Sequence, residues 1–144
     1  MQISTRTEYA LRALLEIDRV GGKSISARYI SEQQQLPRKY VERLLNNLKQ
    51  AGLLSSEAGS HGGYRMLKLP EDISLLDVMT AVEDRSWELA CLTNPPEHCL
   101  GSGCGLQVVW QDLYRNIRGV LAQYSLKKIF KTIAARQSEK PDKG

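Results

Sequence analysis

The sequence predicts a mainly α-helical chain with one small β-hairpin. Three observations predict it. Three amphipathic segments with capping residues occupy the N-terminal third. A glycine-tipped pattern of two short strands follows them. A long apolar seam with alternating spacings of four and three runs through the C-terminal third.

The first helix is predicted at about residues 6–20, where Ala10, Ala13, Leu14 and Ile17 recur at helical spacing. Thr5 and Glu8 have the spacing of a capping box, and Gly21-Gly22 closes the helix. A shorter helix is predicted over 27–34 with Ser26 as N-cap. Pro37 breaks it and suits the first turn of the next. The third helix is predicted over 38–51. Val41, Leu44, Leu45 and Leu48 form its buried stripe, and Gly52 is its natural C-terminal stop. Its other face carries Arg38, Lys39, Glu42, Arg43, Asn46, Asn47, Lys49 and Gln50. Such long or amide side chains reach phosphates and base edges.

Residues 53–57 and 64–69 read as the two strands of a hairpin. The turn-rich loop 58–63 lies between them and Pro70 is the stop. A fourth helix starts at Ser74, with Asp77 three residues on and Ile73 and Val78 placed as a hydrophobic staple; it ends near Val82 or Asp84. Residues 87–105 show no period and hold Pro95-Pro96, Gly101, Gly103 and every cysteine of the chain. A loop of that length is functional or metal-organised rather than a mere connector. The fifth helix carries the seam Leu106, Trp110, Leu113, Ile117, Val120 and Tyr124, an a/d pattern that predicts a dimer interface. Ser125 caps a sixth helix with the stripe Leu126, Ile129, Phe130 and Ile133, and a polar tail follows from Arg136. These elements divide the chain into a helix-and-hairpin unit at 1–84, a cysteine-rich loop at 85–105, dimerisation helices at 106–136 and a flexible tail at 137–144.

Three helices followed by a two-stranded hairpin make a winged helix-turn-helix, in which the third helix enters the major groove of DNA and the hairpin is the wing. The plainer reading is a small helical protein with a decorative hairpin. Charge favours DNA: residues 1–70 hold eleven Lys and Arg against six Asp and Glu, within an overall net charge of +4. Residues 71–100 reverse the sign, with one basic residue against seven acidic ones. No apolar run approaches the roughly 20 residues that span a bilayer, and the N-terminus lacks a secretory apolar core, so a cytoplasmic location without membrane attachment is expected. The sequence has no phosphate loop, nucleophile elbow or paired-carboxylate motif. It therefore predicts neither an enzyme nor a small-molecule substrate.

The cysteines are Cys91, Cys99 and Cys104. An odd number does not make a closed disulfide set. Their spacing fits the short knuckles of zinc sites poorly, although His98 stands beside Cys99. Soft thiolates in a loop rich in glycine and proline suit an iron–sulfur cluster better.

The opening MQISTRTEYALRALLEI, the segment LPRKYVERLLNNLKQAGLLSS, the GSHGGY wing and the three-cysteine loop together resemble the IscR/NsrR-type winged-helix transcriptional regulators. The resemblance covers nearly the whole chain. It implies a cytoplasmic homodimer that binds a double-stranded DNA operator, most closely the IscR branch, which represses iron–sulfur biogenesis genes. It also implies a cluster, [2Fe-2S] favoured over [4Fe-4S], on Cys91, Cys99 and Cys104. IscR-like members carry a histidine ligand where this chain has Gln107. NsrR-like ones use an N-terminal carboxylate of the other subunit, where this chain has Glu8; His98 is a further candidate. Glu42 then discriminates between operator types, its plainer role being a surface ion pair. Arg38, Lys39, Tyr40 and Arg43 complete the reading helix. Relatives carry a wing arginine where this chain has Ala58, so Ser60, His61 and Arg65 supply the wing contacts. Tyr40 also has a core reading. The alternatives are a nitric-oxide or redox sensor of the same fold, and a zinc or thiol adaptor without DNA binding.

Overall fold

A computed structural model describes residues 3–84, 88–93 and 95–139. Helices α1 (Thr5–Arg19), α2 (Ala27–Gln34) and α3 (Arg38–Gln50) precede the antiparallel strands β1 (Leu54–Glu57) and β2 (Gly63–Met66). A 3-10 turn (Pro70–Asp72), α4 (Leu75–Val82), the single turn α5 (Ala90–Thr93), a second 3-10 turn (Gly101–Gly103), α6 (Gly105–Ala122) and α7 (Leu126–Ser138) follow. This is a mainly helical winged helix-turn-helix followed by a long helix, α6, the predicted fold class.

One core unites the first four helices and the last. Ala10, Ala13, Leu14 and Ile17 of α1 meet Val41, Leu44, Leu45 and Leu48 of α3, with Ile30, Ile73, Val78 and Leu126 filling the spaces between. Each of the four α3 residues is at most 2% exposed, so one whole face of that helix is committed to packing. A smaller cluster joins α4 to α6 through Met79 and Leu121, with Leu75, Leu76, Tyr114 and Ile117 around them. Leu75 N–H donates to the Tyr124 carbonyl (2.7 Å) and Leu126 N–H to the Ile73 carbonyl (2.8 Å), a two-way bridge where α4 and α7 both begin. Ser74 and Ser125, the N-caps of these two helices, face each other across it.

Several expected details change. Ser4, not Thr5, caps α1: its Oγ accepts from the Arg6 N–H (3.1 Å), and the capping box of Thr5 with Glu8 does not form. The box of Ser74 with Asp77 does form. The second strand ends at Met66 rather than at residue 69. Leu67 N–H makes one more bond, to the Leu53 carbonyl (3.0 Å). Beyond that point the partner chain has already turned back into α3. α7 continues through Ser138, past the point where a frayed tail was expected; residues 140–144 of that tail lie outside the described residues, as do 85–87 and 94 within the cysteine-rich stretch. The single turn α5 is too short to leave a period in the sequence.

The wing is fastened to the core by Leu54, Tyr64 and Met66 and to the turn before α2 by backbone hydrogen bonds. Ile25 N–H donates to the Tyr64 carbonyl (3.1 Å) and Tyr64 N–H to the Ile25 carbonyl (2.8 Å), an isolated antiparallel bridge on the outer edge of β2. The approach requires glycine at 63. Its φ is +154°, and a Cβ there would lie 2.2 Å from the Ile25 carbonyl oxygen. Gly63→Ala is expected to lower stability by about 2 kcal/mol or more in urea unfolding. It should also speed amide exchange at Ile25 and Tyr64 selectively. Unchanged protection at those two amides would show that the bridge does not hold the wing.

Candidate nucleic-acid interface and thiol loop

With its apolar face buried, α3 turns Lys39, Arg43, Asn46 and Gln50 outward, and all four are exposed. Arg38 and Glu42 flank them and pair with each other (3.0 Å, one turn apart) with both side chains largely in solvent. The surface pairing expected as the plainer role of Glu42 is thus present. Of the two readings of Tyr40, the structure shows the packing one. It is half-buried, and its ring meets that of Tyr9 edge-on at 5.8 Å and 89°. Its place one hundred degrees back from Val41 puts it on the α1 side of α3, where it packs.

On the wing, Ser60 and His61 are exposed at the tip. Arg65 projects from β2 and pairs with Glu57 of β1 (3.2 Å). Between the wing and the turn at residues 22–26 lies an open cleft of about 570 Å³ lined by Lys23, Ser24, Tyr29, Ser60, His61 and Arg65, among others. Sequence periodicity could not find Lys23, Ser24 or Tyr29 as neighbours of the wing, because the Ile25–Tyr64 bridge that brings them there is tertiary.

The three cysteines are free thiols. Cys91 sits in α5, half-buried beside an apolar cleft of about 330 Å³ formed with Leu89, Ala90, Pro96 and Trp110. Cys99 is exposed, and its Sγ accepts from the Gly101 N–H (3.4 Å). Cys104 is half-buried at the N-cap of α6, and its carbonyl accepts from the Gln107 N–H (3.1 Å). His98 is exposed. Glu8 projects from α1 with a 62% exposed side chain, 3.9 Å from Arg12. Among the described residues, no three His, Cys, Asp or Glu side chains are arranged around a point that could hold a single metal ion. An iron–sulfur cluster distributes its thiolates over several irons, and the donor set here fits that group in kind: three free thiols within one loop, one of them already receiving a backbone N–H.

The root of this loop is held to the first helix. Glu83 accepts from the hydroxyls of Ser4 (2.5 Å) and of Thr7 (2.6 Å), the latter residue fully buried. Next to it Asp84 pairs with Arg6 (3.1 Å) and holds that guanidinium pKa above its ordinary value through the hydrogen bond and its charge.

The predicted seam on α6 divides. Leu106, Trp110, Leu113, Val120 and Tyr124 are 40–56% exposed in the single chain, and Val109 is exposed beside them. Ile117 instead packs inward against the Met79–Leu121 cluster. Ile117 lies on the same helix face as the rest of the seam, but at its level along the axis α4 packs against α6, so this one position is covered within the chain. Trp110 also walls the Cys91 cleft, and Tyr124 lies past the helix end with Lys128 4.3 Å from its ring centroid.

A helix that buries one face and presents cations and amides on the other, beside a pinned two-stranded wing, defines a winged-helix DNA-binding protein. Comparison with known proteins places it more closely. Residues 3–132 match the Rrf2 family, described as an iron-dependent transcriptional regulator. The chain is 31% identical over 122 residues to protein rrf2 of Nitratidesulfovibrio vulgaris, covering 81% of each. It shares its fold with IscR of T. potens (TM-score 0.67, 24% identity, 99% of this chain and 93% of that one). It shares it equally with CymR of B. subtilis, a global cysteine regulator (TM-score 0.69, 24% identity, 92% and 98%). This chain belongs to the Rrf2 family of DNA-binding transcriptional regulators and is not an enzyme. The adaptor without DNA binding is thereby set aside, and IscR and CymR relatives alike leave the branch unfixed. No described helix is long and apolar enough to cross a membrane.

Exposure orders the thiols. Under native, reducing, metal-free conditions, iodoacetamide is expected to alkylate Cys99 before Cys91 and Cys104, followed by peptide mass spectrometry. Equal rates at all three positions would contradict the burial described for Cys91 and Cys104.

Proposed function

We propose that this regulator senses an iron–sulfur cluster, [2Fe-2S] in preference to [4Fe-4S], and represses iron–sulfur biogenesis genes as a homodimer on a duplex operator. The thiol loop carries this reading. Its three free cysteines lie on a segment whose root is tied to α1 at Glu83 and whose last cysteine stands at the N-cap position of α6. Cys91, Cys99 and Cys104 supply the thiolates, and Glu8 of the partner subunit supplies the fourth ligand in place of His98 or Gln107. The bound cluster supplies an oxidisable centre, with the carboxylate corner the harder and weaker ligand. Glu8 is one turn beyond Ser4 and beside Thr7, the two residues that grip Glu83. A ligand role for Glu8 therefore couples order in the loop to the position of α1. Through the contact of Tyr9 with Tyr40 it reaches α3 as well.

Lys39 and Arg43, with Arg38 and Glu42 at the flank, read the operator, and Ser60, His61 and Arg65 contact it from the wing. The apolar stripe of α6 is the surface for a second copy, since a monomer would leave it in water.

Anaerobic purification with absorption spectra and iron-to-sulfide ratios tests the cluster. The expected result is a coloured protein. Alanine at any one cysteine should abolish stable cluster binding, Glu8→Ala should perturb the spectrum, and Gln107→Ala should do little. A colourless, zinc-bearing protein overturns the reading. A cluster indifferent to Glu8→Ala and lost in His98→Ala assigns the fourth ligand to the loop. In operator titrations Arg43→Ala should weaken binding by about 1–3 kcal/mol, the range for a lost base contact.

Leu113→Asp tests the dimer, because Ile117 also serves the internal cluster and would confound the result. An unpaired carboxylate at the twofold contact is expected to give monomers in sedimentation velocity while circular dichroism stays unchanged. A wild-type monomer at micromolar concentration would end the dimer reading.

A further inference from the structure

We infer that the cleft between the wing and the turn at residues 22–26 seats a DNA backbone phosphate, with Lys23 as its cation. This rests on the DNA-binding reading and extends it to residues outside the reading helix and the wing. The walls are held at fixed separation. The two-way hydrogen bond of Ile25 with Tyr64 pins the turn to β2, and Lys23 and Ser24 lie within two residues of it. Gly63 permits that approach because it has no Cβ. The seat is therefore built before any ligand arrives, and little ordering entropy is left to lose on binding.

The lining is one of donors. Lys23 and Ser24 come from the turn, Tyr29 from α2, Ser60 and His61 from the wing tip, and Arg65 from β2. Glu57 is the one carboxylate among the described lining residues, and it is held by Arg65 at 3.2 Å. Lys23 is exposed and has no ion-pair partner among the described residues, so its ammonium is available to an incoming anion. The cleft is shallow and open, and a chain phosphate can enter it laterally. Its wing wall is the element expected to touch DNA, so a duplex lying against the wing carries a phosphate row past Lys23. A contact to phosphate fixes register and carries no sequence information itself.

Because that contact is independent of sequence, a fluorescein-labelled random-sequence duplex and the full chain suffice. Anisotropy titrations over a salt series give the slope of log affinity against log salt. Lys23→Ala is expected to reduce that slope by about 0.9 per chain. The affinity loss relative to wild type should then shrink between about 50 and 200 mM salt by roughly threefold for each Lys23 engaged, about twelvefold for a dimer that engages two. Lys23→Arg should keep the slope, and Lys127→Ala on α7 should leave it unchanged. A wild-type slope in Lys23→Ala, while the wild type binds and Arg43→Ala weakens binding, overturns the seat and leaves the DNA reading standing. Equal slope losses in Lys23→Ala and Lys127→Ala reduce the effect to net charge and overturn it too. If Lys23→Ala abolishes competition by inorganic phosphate without changing the slope, the cleft holds a free ion and the DNA contact is overturned. A wild type that binds no duplex at any salt removes both readings together.

Discussion

Two backbone hydrogen bonds, between Leu75 and Tyr124 and between Leu126 and Ile73, fix where α4 and α7 start on the core that the first four helices share with the last. They close a long excursion of the chain at its two ends. Inside that excursion lie α4, the thiol loop and α6; outside it lie the reading helix and the wing. Ile73 and Leu126 are fully buried at the joint, so the bond between them is made where no water can replace it. Separating the halves would cost those bonds as well as the packing. The two serine caps then start α4 and α7 from the same point, which sets the direction in which each leaves. Changes in the loop or α6 can reach the DNA-binding half through this joint, through the grip of Ser4 and Thr7 on Glu83, and through α4, which packs on α6 by Met79 and on α1 and α3 by Val78 and Val82.

The DNA-facing surface is a by-product of the core. Burying Val41, Leu44, Leu45 and Leu48 on one face of α3 leaves Lys39, Arg43, Asn46 and Gln50 no place but outside. The wing is rigid for a different reason. A two-stranded hairpin is marginal by itself in water, and here it is held by the bridge to Ile25 and by the packing of Leu54, Tyr64 and Met66 on the core. The same pairing shapes the cleft beside Lys23, so rigidity and anion-binding chemistry arise from one contact.

The thiol loop is held differently from the rest. Of its residues none described is buried, and its internal order comes from short turns: α5, the 3-10 turn at Gly101–Gly103 and the bond from Gly101 N–H to the Cys99 sulfur. Such a segment has few apolar contacts to stabilise it. Ligation of its thiols would supply the missing cross-links, as metal binding does in other small coreless segments.

Periodicity and capping chemistry determined most of the architecture before any coordinates. Helices α2 and α3 begin at the residues their caps and Pro37 announce, since those signals act within one turn and need no distant partner. The cysteine cluster was legible for the same reason: three thiols in one loop are a local pattern. Choices that depend on distant partners were not legible. Ser4 rather than Thr5 caps α1, where Glu83 from far along the chain fastens it. Ile117 leaves the seam because Met79 lies beside it. Lys23 meets the wing because Gly63 lets two backbones touch. The sequence by itself determined where helices and strands form and which faces are apolar, because those depend on neighbours within a few residues. Only the tertiary structure decided which of several chemically suitable side chains faces the core, the wing or the solvent, because that depends on which distant surface reaches it.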